Sequence, residues 1–449
     1  MRRHPNGPNL IPYSTVSLPN TGFGSIGINL NVTAHQTNSV QIISTAAISA
    51  DVGINAITNN SPNAALILGD STANQLVVAA RPAGAIHNFV NNSTNAAVIN
   101  ASARWVAGGG NAFTMGFGGP GNWMVNNYLR SDSTTSILKD GSGTMTWTAA
   151  GFLLSGPIGP VNIDGGTVIL KSPGLLPTYA TGVPPGNNTI TNNGTLIYDA
   201  AAQSDVQSRI ISGTGLLKVS NGTLTLSGAN TYAGNTILSG GTLQVGAGGT
   251  SGSTGTGNIT DNSVLVFNRS DNVTFTKVIS GGGSVVQLGS GTLTLFTNSY
   301  SGTTTVSNGT LVINGDNFAA STYVAAGTLG GTGTFYGPVT LDPGTTLAPG
   351  ASVGTLTINS NLSIGGNLAI EVNKSLSQPN DLVVVSGVLT NTGTGTLTVA
   401  NLGPALAVGD KCFYDAFGAS MVQHECFSEL RHRIPAIQIG CFVLSASEP

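Results

Sequence analysis

An all-β solenoid is the fold this sequence predicts, on three observations: a tract that recurs inside a longer repeating unit, strands whose side chains alternate, and a composition almost without charge. Gly222-Thr223-Leu224-Thr225-Leu226 returns as Gly291-Thr292-Leu293-Thr294-Leu295. Around the first copy the order is Ile211-Ser212-Gly213, the Gly-Thr-Leu strand, Asn230-Thr231-Tyr232-Ala233-Gly234-Asn235-Thr236, then Gly241-Thr242-Leu243-Gln244-Val245. The second copy keeps that order with Ile279-Ser280-Gly281, Asn298-Ser299-Tyr300-Ser301-Gly302-Thr303-Thr304 and Gly309-Thr310-Leu311-Val312-Ile313. A unit of this size cannot bury its apolar face alone, so such units stack.

The spacing inside a unit sets the coil. Leu293 and Leu311 are eighteen residues apart and Leu224 and Leu243 nineteen, which gives about twenty residues per turn of β-coil. Within a strand, Leu224 and Leu226 point to one face and Thr223 and Thr225 to the other. The leucines are expected inside and the hydroxyls outside. Ser212-Gly213, Asn221-Gly222, Gly240-Gly241 and Asn308-Gly309 supply the positive φ that tight corners need. No window of the repeat region has a helical apolar period with caps.

Composition agrees. Charged residues make up 7% of the chain, against roughly 25% in a globular domain. The 63 glycines fit a chain with frequent corners and closely stacked backbone. Disordered chains are charged and poor in β-branched residues, whereas Thr, Val, Ile and Leu are plentiful here. A net charge of -3 with singly scattered basic residues shows no footprint for nucleic acid or an anionic membrane. No run of eighteen apolar residues reads as a spanning helix. The start, Met1-Arg2-Arg3-His4-Pro5-Asn6, has no apolar stretch behind it, so an export signal is expected to lie outside this sequence.

In chain order, residues 1–135 read as an irregular N-terminal β-solenoid region with its own echo, Asn59 to Leu68 matched thirty-two residues later by Asn91 to Asn100. Residues 136–372 read as the main repeat region, opening with a degenerate copy at Leu138 to Trp147 and Gly166 to Leu170. Within it, the Pro-rich and Asn-rich residues 173–194 read as a loop extruded from the stack. Residues 373–409 read as terminal β-coils. Residues 410–449 are foreign to all of this: the Gly-Thr-Leu strands stop, all three cysteines appear, and charges crowd from Glu425 to Arg433. The coils are therefore expected to end near Leu406, with a poorly packed or non-native tail beyond.

The repeated residues resemble a family, the autotransporter-associated β-strand repeat or passenger-associated transport repeat of bacterial surface proteins. The resemblance rests on Gly289 to Leu295, on the Asn-x-Tyr-x-Gly-x-Thr core at Asn230 to Thr236 and Asn298 to Thr304, and on Gly240 to Leu243, within roughly residues 136–360. It implies a right-handed parallel β-helix, a single elongated body on or shed from the surface of a Gram-negative-type bacterium. It also implies export by type V secretion, with an outer-membrane translocation barrel as partner. With aromatics at 6%, no part of this chain reads as that barrel.

Catalysis by a β-helical lyase or glycosidase needs carboxylates converging on one face. Between Ile211 and Ile313 the acids are Asp261 and Asp271, both in turn settings where Asp bonds its own backbone. Asp140-Gly141-Ser142-Gly143 lacks the alternate carboxylates of a calcium loop and reads as a turn. His424, Cys426, His432 and Cys441 have spacings that match no familiar zinc finger. No catalytic residue, cofactor or metal ligand is assigned. The expectation is a non-enzymatic structural or adhesive rod whose repeats support export, with a surface ligand or glycan as candidate target. The alternatives are a polysaccharide-binding or polysaccharide-degrading β-helix, and an ice-binding solenoid suggested by outward Thr-x-Thr pairs such as Thr144/Thr146, Thr292/Thr294 and Thr355/Thr357.

Overall fold

A computed structural model describes residues 189–406 without a break, strands and adjoining turns between residues 13 and 171, and three strands between 411 and 446. Among the described residues there is no helix, hence none long and apolar enough to cross a membrane. Parallel strands stack coil on coil as a β-solenoid, as the alternation and the turn spacing require. The chain divides into two compact units, residues 1–237 with 253–257, and residues 238–252 with 258–449.

The first unit is built on two long parallel ladders. In one, Ile54–Asn59, Ile86–Asn91, Phe113–Gly118, Thr135–Lys139, Ile158–Ile163, Thr189–Asn192 and Ile210–Ser212 succeed one another. Ile57, Phe89, Phe117, Lys139, Ile163 and Asn192 stand in register along its interior. In the other, Leu68, Ile99, Val125, Trp147, Leu170, Tyr198 and Val219 form a second buried column. The rings of Phe89 and Phe117 stack with centroids 5.8 Å apart, and Trp123 meets Phe117 edge-on at 5.4 Å. The echo in the sequence is here two adjacent coils: Asn59 pairs with Asn91 and Leu68 with Ile99, and the Asn59 amide donates to Asn91 Oδ1 at 3.0 Å.

Thr189–Asn192 corrects the loop reading of residues 173–194. It is a strand between Ile158–Ile163 and Ile210–Ser212, with Ile190 and Asn192 buried. Its Thr-Ile-Thr alternation is hidden in the sequence by the Asn and Pro residues around it. The rest of that segment, up to residue 188, lies outside the described residues.

The second unit repeats the scheme with shorter steps. Val273–Phe275, Thr292–Leu295, Thr310–Ile313, Thr328–Gly331, Thr346–Pro349, Asn367–Val372 and Leu397–Asn401 form a seven-stranded parallel sheet. Leu293, Leu311, Leu329, Leu347, Leu368 and Leu397 lie in register along it. The first five are buried, each contributing roughly 1.5–3 kcal/mol. The outward neighbours Thr292, Thr310, Thr328 and Thr346 make a threonine column that three successive eighteen-residue steps keep aligned. Thr225 departs from the pattern: it is buried, whereas its neighbour Thr223 is half-buried.

Beyond Leu406 the pairing changes. Lys411–Phe417 and Ser420–Glu425 run antiparallel, while Ser445–Ala446 joins Leu382–Val385 in parallel. The tail thus supplies one short rung to the stack. Cys426, His432 and Cys441 lie outside the described residues.

The repeat motif as candidate functional site

Each position of Asn-x-Tyr-x-Gly-x-Thr has a separate physical task. Asn230 Oδ1 accepts the backbone N–H of Ile211 at 2.8 Å, and its amide donates to the carbonyls of Gly228 at 3.2 Å and Ser253 at 2.7 Å. Asn298 Oδ1 likewise accepts the N–H of Ile279 at 2.9 Å, and its amide donates to Phe296 O at 2.7 Å. In both copies the asparagine reaches the coil before it across nineteen residues. It satisfies a strand N–H of that coil that would otherwise be buried without a partner.

The tyrosine turns inward. Tyr232 and Tyr300 are both fully buried, and each hydroxyl pairs with the threonine four residues on, Thr236 Oγ1 at 2.7 Å and Thr304 Oγ1 at 2.6 Å. Burial pushes the Tyr300 phenol up to about 12, with the Asp261 charge adding to it. In the coil beneath, Gly281 stands in register with Tyr300 at φ 108, a conformation that favours glycine, and a methyl group there would overlap the carbonyl oxygen of Asp261. Two residues later the backbones close up. A methyl group on Gly302 would overlap the carbonyl oxygen of Gly283, and one on Gly234 that of Gly215.

A third, worn copy follows. Asn317 pairs in register with Asn298 and its Oδ1 accepts the N–H of Ala319 at 3.1 Å. Ala319 stands where the tyrosine would be, and Thr322 keeps the buried threonine position beside Thr304. Removing the amide from an intact copy is the informative change. Asn298→Ala leaves the Ile279 N–H buried and unpaired, a cost of about 1–3 kcal/mol. Tyr300→Phe is expected to cost a comparable amount, since it removes a buried hydroxyl that pairs with Thr304 and faces the Asn317 side chain. Denaturant melts of the two variants, compared at equal slope, check both costs.

The acids singled out in the sequence do not converge. Asp261 is buried at a corner, its Oδ1 accepting the N–H of Ser263 at 2.9 Å in the self-bonded turn expected of it. Asp271 is held by Arg269, Nη2 to Oδ2 2.7 Å. Asp342 accepts the hydroxyl of Tyr323. The carbonyls of Asp140 and Gly141 accept from the buried Lys139 ammonium, at 2.5 and 3.0 Å. Among the described residues no group of three or more His, Cys, Asp or Glu could hold a metal ion.

Among the described residues two buried carboxyls carry raised pKa values, Asp261 and Asp381. Burial raises Asp261 to about 6. Asp381, whose oxygens accept the N–H groups of Gly354 at 2.8 Å and Glu371 at 2.7 Å, is raised to about 6 by burial and by the Glu371 charge. A folded pKa above the unfolded value means that the folded state holds its proton more tightly. The associated stability is therefore full below the ordinary carboxylate value and is lost as pH rises through 6. The melting temperature is expected to rise by a few degrees as pH falls from neutral to about 5, and Asp261→Asn should flatten that rise.

Stacked parallel coils pinned at their corners by a recurring asparagine and tyrosine define a β-solenoid of repeat type. The passenger-associated-transport-repeat family model matches residues 216–245, 285–313 and 309–330, so this chain carries passenger-associated transport repeats, as autotransporter passengers do. Comparison with curated proteins and with solved structures gives no match.

Proposed function

We propose that this chain is a non-enzymatic passenger of autotransporter type, a stacked-coil scaffold with a structural or adhesive role at the cell surface or outside a Gram-negative-type bacterium. It would be delivered through a translocation barrel supplied separately. The observation that carries this reading is the pair of intact corner motifs inside the matched repeats. Coils that form outside the membrane are held to the coil before them by parallel ladders and, in the two intact repeats, by an asparagine clip as well, so chain that has folded outside resists sliding back.

The arrangement of the acids favours a scaffold over a lyase or glycosidase, whose two carboxyl groups face each other about 5–9.5 Å apart. Asp261 is turned to the interior and Asp271 is engaged by Arg269. An ice-binding face needs Thr-x-Thr on successive coils, yet in register with Thr294 the next rungs carry Val312, Gly330 and Ala348. An adhesive role has its support in the exposed rings of Phe318 and Tyr336, stacked at 4.5 Å and 7°.

The test places the full chain between an export signal and a translocation barrel in a Gram-negative host and measures digestion by external protease. The chain is expected at the surface, and Asn230→Ala with Asn298→Ala is expected to cut the surface fraction several-fold at equal expression. Retention of the unaltered chain in the periplasm, or equal delivery of the double variant, would refute the proposal.

A further inference from the structure

In the seven-stranded sheet of the second unit every strand hands the same surface to the next: an interior apolar column and a row of backbone groups. Leu397–Asn401 is the last of these strands. Its Leu397 and Val399 stand in register with Leu368 and Ile370, but Ile370 is 7% exposed and Val399 42%. Among the described residues no coil covers Val399.

Among the described residues the backbone edge is equally bare. Leu402 N–H donates to Val372 O at 2.8 Å and Leu368 N–H donates to Thr396 O at 2.9 Å. With alternation along a strand, the N–H groups of Leu397, Val399 and Asn401 then point away from the sheet. Among the described residues this strand pairs with Asn367–Val372 alone, and the described strands of the tail pair elsewhere. Edge strands are ordinarily guarded by lysines, prolines or bulges. From Leu382 to Gly409 there is no charged residue, and Leu397–Asn401 holds no proline.

We propose that the free edge of Leu397–Asn401 is an association surface whose occupant is a second copy of this chain. The surface is the one Thr346–Pro349 presents to Asn367–Val372, so it takes a strand of this chain's own repeat type. A second copy presents such a strand with an equally open edge. Two such edges meeting about a two-fold axis pair antiparallel, cover both copies of Val399 and leave no edge to extend, which gives a closed dimer rather than a filament. The inference is independent of how the chain is exported.

Sedimentation or light scattering of the purified full chain over a range of concentrations tests it. A monomer–dimer equilibrium is expected, with the Val399 amide gaining protection from hydrogen exchange as the dimer forms. Val399→Lys, which puts a charge on the edge, and Val399→Pro, which deletes the outward donor, should both be monomeric while retaining the wild-type circular dichroism. Val278→Lys, at a residue 42% exposed on another coil, should still dimerise. A monomer at every concentration, as when the chain's own tail covers the edge, overturns the proposal. So does a dimer that survives both changes at Val399, or one in which the Val399 amide gains no protection.

Discussion

Gly302→Val is expected to destroy cooperative folding of the second unit. A β-carbon at this position would overlap the backbone oxygen of Gly283, with the Gly283 carbonyl carbon and Gly282 oxygen next nearest. Overpacking costs about 1–3 kcal/mol where neighbouring side chains can move aside. Here the obstruction is the backbone of the coil beneath, so relief requires parting two coils and breaking the ladder between Ser284–Gln287 and Thr303–Val306. The cost should reach or exceed the top of that range. Gly249→Ala is the matched control, since nothing lies within 4 Å of that position. Thermal melts are expected to separate the two variants by many degrees, and similar melting temperatures would show that the coils are not stacked this closely.

The second large effect belongs to the leucine column. Leu311 is fully buried between Leu293 and Leu329, and Leu311→Asp would place an unpaired carboxylate between them. Losing the side chain and its packing costs about 2–5 kcal/mol, and the buried charge adds to that. Thr310→Lys, one residue away on the outward face, should change stability by less than about 0.5 kcal/mol. Equal destabilisation by the two changes would mean that the strand faces are misassigned.

What the sequence revealed and what it concealed follow one physical rule. Periodic features were legible: the alternation in Thr292–Leu295 and the eighteen-residue step to Thr310–Ile313 fix both the inward face and the coil length, because each coil must repeat its neighbour's interior. The echo at Asn59 and Asn91 was legible for the same reason. Features that depend on one coil meeting another were not. Nothing local marks Asn230 or Asn298 as clips, since their partners Ile211 and Ile279 lie a full coil away. Arg209 looks like a surface residue by type, yet it is buried with Nη2 donating to the carbonyls of Gly159 at 2.8 Å and Thr189 at 2.9 Å. Asp261 was recognisable as a turn residue, but its burial, and hence its raised pKa, depends on the coils around it.

The central claim is that successive repeats stack one strand spacing apart, and distances between spin labels test it most directly. With Cys412, Cys426 and Cys441 replaced by serine, paired labels at Thr292 and each of Thr328, Thr346 and Asn367 sample two, three and four coil steps along one outward column. Adjacent strands lie ~4.8 Å apart, so the mean distance should grow by that increment at each step, reaching about 19 Å between backbones for the widest pair, with narrow distributions throughout. Distances that do not increase along the series, or that spread broadly at every pair, would contradict the stacked-coil account.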